Sequence, residues 1–399
     1  MPRPIWPISG GSIAISTVFS RLLALPSPPS AQSKSLEPLA HLEYARELEL
    51  KNRALREFWK QNRLPGAPAP IIPSPKPRHY RTTTKRRVPY GKNETSLLEP
   101  AEHSTLYAFI GEKLAAPGYK ILSQAMNYVI IRGSYQERSV IFNVHTLNAA
   151  VVKKLKNLSR HLPPFDKNVV SAFIFFDPTR SEYYLDNSDV GHDLKTKRLF
   201  GPEKLFVNFD GARYQFDPVI FSQVNESMVP ILLAQAKKML APSPSEHLVD
   251  LYCGYGLFTH FLAPGYAHAC GLEAALKSVE AARHNAKFHA LNKPAIFHAG
   301  LISGISFVNL LPKAGCHAEA LFIDPPRQGM PVDSIAALAK RTPVKVVQAC
   351  CGIDGLPGQV EAWNRNGYRL AAAAPIDMFA GTPHLETLLR FERAVKEQP

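Results

Sequence analysis

Val249-Asp250-Leu251-Tyr252-Cys253-Gly254-Tyr255-Gly256-Leu257-Phe258 is the stretch whose reading decides the fold. An apolar run of strand length enters a Gly-x-Gly turn and a helical pattern follows. In that arrangement the backbone at the carboxyl end of a strand can approach a ligand closely. Working outward, ESMVPILLAQAKKML precedes the turn as a lead-in helix, and AHACGLE follows as a second strand. AALKSVEAARHNAKFHAL reads as a helix, AIFHAG, EALFID and VKVVQA as strands, and YRLAAAAPI and HLETLLRFER as the closing pair. Strand and helix in repetition predict a doubly wound, Rossmann-like α/β domain over residues 223–399.

The acid that closes the second strand, Glu273, is placed to accept hydrogen bonds from both ribose hydroxyls of an adenosine. A dinucleotide fingerprint would want a third glycine, and the chain runs Thr259-His260 there, so the pattern favours S-adenosylmethionine. Three further motifs fall at the same sheet edge. In Phe322-Ile323-Asp324-Pro325-Pro326-Arg327-Gln328-Gly329 the proline pair fixes an extended turn that holds Asp324 and Arg327 at the cleft. Val346-Val347-Gln348-Ala349-Cys350-Cys351-Gly352 ends the fifth strand on two thiols. His384-Leu385-Glu386-Thr387 enters the last strand, where a carboxylate among apolar residues either pairs with a cation or works as a base.

The rest of the chain is read more coarsely. Residues 1–36 hold no Asp or Glu and are rich in serine, so they are expected to be a disordered or targeting extension. Residues 37–76 are expected to form one amphipathic basic helix and a proline-rich linker. Leu48, Leu55 and Trp59 recur at helical spacing, and Glu47 before Lys51 and Glu49 before Arg53 give pairs that support an exposed helix. In RHYRTTTKRR, Arg78, Arg81, Lys85, Arg86 and Arg87 surround Tyr80, a combination suited to a phosphate backbone and a stacked base. Short β-rich runs and the helical LNAAVVKKLKNLSRHL make residues 77–222 a smaller α+β domain, expected to face RNA.

The chain has 399 residues, 47 Lys and Arg against 33 Asp and Glu, and a net charge of +14, which favours a polyanionic partner. Residues 1–100 alone hold 16 basic and 7 acidic residues, a net +9. No run is long and apolar enough to span a bilayer, so no membrane partner is expected. The 5 cysteines are irregularly spaced without a CxxC pair, which argues against a disulfide framework and against a metal or iron-sulfur cluster. A monomer in the cytoplasm is expected, or in a mitochondrion or plastid if the N-terminus is a transit peptide.

Together the motifs resemble the S-adenosylmethionine-dependent RNA (uracil-5-)-methyltransferases. Phe221-Ser222-Gln223-Val224-Asn225 is similar to the family's FxQxN segment, DLYCGYGLF to its cofactor loop, IDPPRQG to DPPRxG, and DMFAGTPHLET to DxFPxTxHxE. The resemblance implies cofactor contacts at Gln223, Tyr252, Glu273 and Asp324, beside the turn glycines Gly254 and Gly256 already read as cofactor-binding, and a base at Glu386. It implies a nucleophile in QACCGIDGL, and counting back from Leu356 makes that Cys351. Arg327, Arg78 and Arg81 are assigned to the substrate, a uridine in transfer or ribosomal RNA. The sequence departs from the family at Gly352 and Ile353, where Asn and Pro are usual, and at Leu257, where a loop Asn is usual. These departures keep open a second reading, a catalytically degenerate homologue that binds RNA.

Overall fold

Along residues 44–61 apolar side chains return every three or four positions, and the chain forms a helix there whose inner face carries Leu50, Ala54, Leu55, Phe58 and Trp59. The structure is a computed structural model and describes residues 18–23, 37–89, 96–180, 196–288, 295–313 and 318–394. In chain order, a short helix α1 (Val18–Leu22) precedes α2 (Tyr44–Gln61), whose N-cap Glu43 accepts the Arg46 N–H through its side chain. The fold divides into two compact units: residues 78–226 form one, while the described residues from 18 to 77 belong with those from 227 onward.

The first unit holds a five-stranded sheet of β1 (Thr83–Arg87), β2 (Met126–Gly133), β3 (Arg138–Val144), β4 (Val169–Phe176) and β5 (Thr196–Phe200), in that spatial order. β3 and β4 run parallel and the other neighbours antiparallel. Helices α3 (Ala101–Ala115), α4 (Lys120–Ala125), α5 (Ala149–Ser159) and α6 (Leu162–Phe165) accompany it, and β6 (Leu205–Phe209) pairs with β7 (Ala212–Phe216) as a hairpin. Leu106 and Ile110 of α3 and Leu155 and Leu158 of α5 share one core with Val129, Ile131 and Phe142 of the sheet. The unit extends to residue 226 rather than 222 because its buried polar groups hold the following segment. The Arg132 guanidinium donates to the Ile220 carbonyl and the Ser222 hydroxyl, and the Tyr135 N–H donates to Glu226 at 2.7 Å.

The second unit begins its sheet after α7 (Val229–Leu240). Its strands are β8 (Glu246–Leu251), β9 (His268–Glu273), β10 (Ile296–Ala299), β11 (Ala318–Ile323), β12 (Lys345–Cys350), β13 (Tyr368–Ile376) and β14 (Glu386–Arg393). Helices α8 (Leu257–Leu262), α9 (Leu276–Phe288), α10 (Val332–Ala339) and α11 (Leu356–Arg365) alternate with them. The spatial order is β10-β9-β8-β11-β12-β14-β13, with β14 antiparallel between β12 and β13. The doubly wound expectation holds, and the Glu386 strand lies inside the sheet as read.

Four expectations are corrected by the described residues. Within the supposed extension 1–36, Phe19 of α1 and Leu23 just after it enter the second unit's core; the rest of 1–36, beyond residues 18–23, lies outside the described residues. Residues 37–76 are no free helix and linker, because Leu39, Leu55, Phe58, Trp59 and Ile71 belong to the core that holds Val249, Leu321 and Leu389. The Ile72 N–H donates to Pro375 at 2.9 Å and the Asp377 N–H to Ile72 at 2.9 Å, so the proline-rich run lies along the end of β13. The Glu47–Lys51 pair is fully buried rather than exposed, since the Asp377 carboxylate meets Lys51 there. The basic run of the first unit is likewise a strand, with Lys85 buried over the Tyr128 ring, and Tyr80, expected to stack on a base, has no exposed surface.

Candidate active site

Strand register gathers the motifs. β8, β9 and β11 are parallel, and Leu251 pairs with both Leu272 and Ile323, while Ile323 pairs with Gln348 on β12. Tyr252, Glu273, Asp324 and Ala349 are therefore level at the carboxyl edge of the sheet. Across the antiparallel ladder Cys350 faces Thr387, so Cys351 and Glu386 are the next residues on their strands, at the same edge. All eight second-unit residues expected at the site, Tyr252, Gly254, Gly256, Glu273, Asp324, Arg327, Cys351 and Glu386, are brought there.

The glycine turn is shaped for close approach. Tyr252, Gly254 and Gly256 all have positive φ, and a β-carbon on Gly254 would meet nothing within 4 Å. The Gly254 N–H donates to Glu273 at 3.2 Å, and the Ala275 N–H reaches the other oxygen at 2.8 Å. His260, one residue past the third-glycine position that Thr259 occupies, packs beneath Gly256 and bonds the Ala282 carbonyl at 3.1 Å, while Leu257 is buried at the start of α8.

The edge is crowded with carboxylates. Burial raises Asp250 to about 8, despite the Thr259 hydroxyl that donates to it at 2.5 Å. Burial, with Glu273 nearby, raises Asp324 to about 7. Burial also lifts Glu386 well above the carboxylate range; Asp324 adds to this and the Arg327 guanidinium opposes it. Asp250 Oδ1 and Glu386 Oε1 are buried without a hydrogen-bond partner. Sequence reasoning assigns Asp250 no role, although an acid inside an apolar strand is a signal that could have found it.

The thiols differ in setting. Cys350 ends β12 inside the hydrophobic core, while Cys351 begins the loop beyond it, outside that core. Burial and Glu386 raise Cys351 far above a free thiol, with Arg327 the opposing influence. A β-carbon on Gly352 would approach the Arg327 carbonyl to 2.7 Å, so glycine in place of the family's asparagine lets this loop lie against the Pro-Pro-Arg turn. That turn is itself clamped: Gln359 accepts the Met330 N–H at 2.9 Å and donates to the Met330 carbonyl at 3.0 Å. Gln348 links Gln359 to Trp363, at 2.6 and 2.8 Å.

Gln223, Arg78 and Arg81 belong to the first unit, where the structure brings two of them together. Arg81 bridges to Asn225, and the Thr82 hydroxyl donates to the Gln223 carbonyl at 3.3 Å. Among the described residues no helix is long and apolar enough to cross a membrane, and no group of three or more His, Cys, Asp or Glu side chains is arranged to hold a metal ion.

The sheet order and the edge it builds define a Rossmann-like methyltransferase fold. The chain belongs to the tRNA (uracil-5-)-methyltransferase family, whose model matches residues 43–299. A 23S rRNA (uracil(1939)-C(5))-methyltransferase RlmD of Shewanella piezotolerans is 36% identical over 203 residues, 50% of this chain and 44% of that one. The chain thus spans less than half the length of that relative. RlmD of Acidithiobacillus ferrooxidans is 25% identical over 374 residues, 89% of this chain and 80% of the relative. Among solved structures, the Pyrococcus abyssi tRNA (uracil-54, C5)-methyltransferase in complex with S-adenosyl-L-homocysteine has a TM-score of 0.66 at 20% identity. It covers 89% of this chain and is covered over 85% of its own, a likeness of fold.

Proposed function

We propose that the protein transfers a methyl group from S-adenosylmethionine to carbon 5 of a uridine in structured RNA, transfer or ribosomal. The observation that carries this reading is the register of β12 against β14, which brings Cys351 and Glu386 to the sheet edge that also bears Asp324 and Glu273. The residues fit the cofactor. The open space over Gly254 admits a ligand against the backbone, Glu273 suits ribose hydroxyls, and buried Asp250 and Asp324 would be relieved by a cationic sulfonium and ammonium. Tyr252 and Gly256 complete the proposed cofactor set on the second unit.

Carbon 5 of uracil is a poor nucleophile until carbon 6 is substituted. In this reading the Cys351 thiolate adds to carbon 6, and the electrons pass to an enolate reactive at carbon 5. S-adenosylmethionine supplies the methyl group that carbon 5 then takes. Glu386 removes the proton left on carbon 5, so that the Cys351 bond to carbon 6 breaks and the thiol departs. Arg327, beside both groups, is assigned to the pyrimidine and favours the thiolate electrostatically. Since a duplex hides carbon 6, the uridine must be extruded or come from a loop.

Incubation with RNA containing 5-fluorouridine tests the reading, because fluorine cannot leave as a proton and the covalent complex persists. A complex that needs both Cys351 and S-adenosylmethionine, with tritium release from [5-³H]uridine RNA, is the expected result. Cofactor binding with neither signal would favour the degenerate RNA-binding homologue, the alternative that the unusual loop after Cys351 raises.

A further inference from the structure

The loop between β13 and β14, residues 377–385, leads directly into Glu386, and helix α2 holds it at two points. Lys51 Nζ lies 2.7 Å from Asp377 Oδ1 and 2.7 Å from Glu47 Oε1, with no exposed surface on either pair. Tyr44 donates its hydroxyl to Asp377 Oδ2 at 3.0 Å and accepts the Ser74 N–H at 2.6 Å. Four residues further along the loop, the Gly381 N–H donates to Glu47 at 2.6 Å, while the Gly381 carbonyl accepts the Leu39 N–H at 3.1 Å. The same N-terminal segment reaches the other catalytic loop, where the Phe19 N–H donates to Asp354, three residues beyond Cys351, at 3.1 Å.

Stability alone does not account for such a triad. Desolvating three charged groups offsets most of their mutual attraction, and an apolar trio of equal volume is often as stable or more so. What the ionic arrangement supplies is direction. Lys51 has two acceptors on different elements, and Glu47 offers the same oxygen to Lys51 and to the Gly381 N–H, so helix and loop have one mutual setting. An apolar contact would tolerate sliding; this one fixes the loop five residues ahead of the proposed base.

We propose that Lys51, with Glu47 and Tyr44, is a positioning residue that sets the aim of Glu386 through the Asp377 loop, which makes the N-terminal helix part of the catalytic machinery. This rests on the uracil C5 reading. Poor aim of the base slows elimination after thiol addition and methyl transfer have occurred, so covalently bound methylated RNA accumulates.

The test uses the full chain carrying Lys51→Met or Tyr44→Phe, with circular dichroism for the folded fraction, calorimetry for S-adenosylmethionine affinity, and gel separation of trapped methylated RNA from released product. Lys51→Met should lower kcat about tenfold and raise the ratio of trapped to released RNA by a similar factor, with cofactor affinity within about threefold of wild type. Tyr44→Phe should shift the same ratio in the same direction by less. A purely structural role would reduce the folded fraction and leave the ratio per folded molecule unchanged, which would overturn the proposal. If Lys51→Met does not fold, the ratio in Tyr44→Phe decides. Wild-type protein that forms no adduct with 5-fluorouridine RNA would defeat the uracil reading itself; a wild-type adduct with unchanged ratios in the variants defeats the positioning role alone.

Discussion

Cys350 and Thr387 face each other across the antiparallel ladder of β12 and β14, which makes Cys351 and Glu386 the next pair in register at the end of both strands. The two adjacent thiols are thereby separated in setting. Cys350 is inside the core with the Gln348 amide 3.8 Å from its sulfur, whereas Cys351 opens the loop against Arg327. Cys351→Ala should abolish the 5-fluorouridine adduct. Cys350→Ala should keep it, at a cost of about 1 kcal/mol in denaturant unfolding. An adduct lost only in the Cys350 variant would move the nucleophile by one residue.

Glu386 offers a variant with opposite effects on stability and turnover. Burial lifts its carboxyl well above the usual range, and Oε1 has no hydrogen-bond partner. Glu386→Gln preserves the shape of the side chain and removes the buried acid. Its Tm should match or exceed wild type while tritium release falls by about a hundredfold and methylated RNA stays attached to the protein. A variant that releases product at the wild-type rate would remove Glu386 from the mechanism.

The sheet of the second unit is legible in the sequence because each strand is an apolar run bounded by turns, and the register then follows from topology. What is not legible depends on partners far away in the chain. Glu47 and Lys51 at i,i+4 read as a surface pair, and only Asp377, 326 residues from Lys51, converts them to a buried one. β1 reads as a basic loop because a lysine ammonium can be buried over an aromatic ring while the sequence shows only its charge. Helix α3 has no clear apolar stripe. Its inner face includes His103 and Tyr107, whose polar atoms meet the Thr84 hydroxyl at 2.9 and 3.0 Å, and such residues do not announce a core.

Because α2 is built into the second unit, damage to it should act on stability. Trp59 is buried and donates its indole N–H to the Pro65 carbonyl at 3.1 Å. Trp59→Ala should cost about 3–5 kcal/mol in denaturant unfolding. The salt dependence of RNA binding by the folded fraction should be unchanged; a changed slope with little loss of stability would return the helix to the role of a basic arm.

Stability of the ligand-free protein should depend on pH through Asp250. Its value is raised from 3.8 to about 8 in the folded state, so the folded form holds a proton that the unfolded form releases between those values. This stabilising contribution is complete below 3.8 and is lost as pH rises through about 8. Between pH about 5 and 8 the Tm should therefore fall with rising pH, and Asp250→Asn, neutral throughout, should flatten that part of the profile. The slope should also shrink when S-adenosylmethionine is present, because a bound cation favours the ionised carboxylate. An identical profile for wild type and Asp250→Asn would show that Asp250 does not titrate in this range.

Electrostatic capture of RNA should draw on Arg78 and Arg81, the two members of the basic run assigned to the substrate. Arg86 pairs with Glu99 at 2.5 Å, Lys85 is buried over Tyr128 and exposed Arg87 donates to the Tyr128 hydroxyl at 3.0 Å, whereas Arg78 and Arg81 are partly exposed and Arg81 lies beside the segment that carries Gln223. Each phosphate interaction removed from a single strand should reduce the slope of log affinity against log salt by about 0.7. Replacing both Arg78 and Arg81 with Gln should therefore weaken RNA binding and flatten its salt dependence, with affinity for S-adenosylmethionine unchanged, since neither arginine is assigned to the cofactor. Arg86→Gln should behave differently: it removes the half-buried Arg86–Glu99 ion pair, so the Tm should drop while the salt slope of the folded protein stays the same. Fluorescence anisotropy with a labelled RNA hairpin over a salt series separates the two effects. A slope unchanged in the Arg78 and Arg81 double variant would move the RNA-binding surface away from this run.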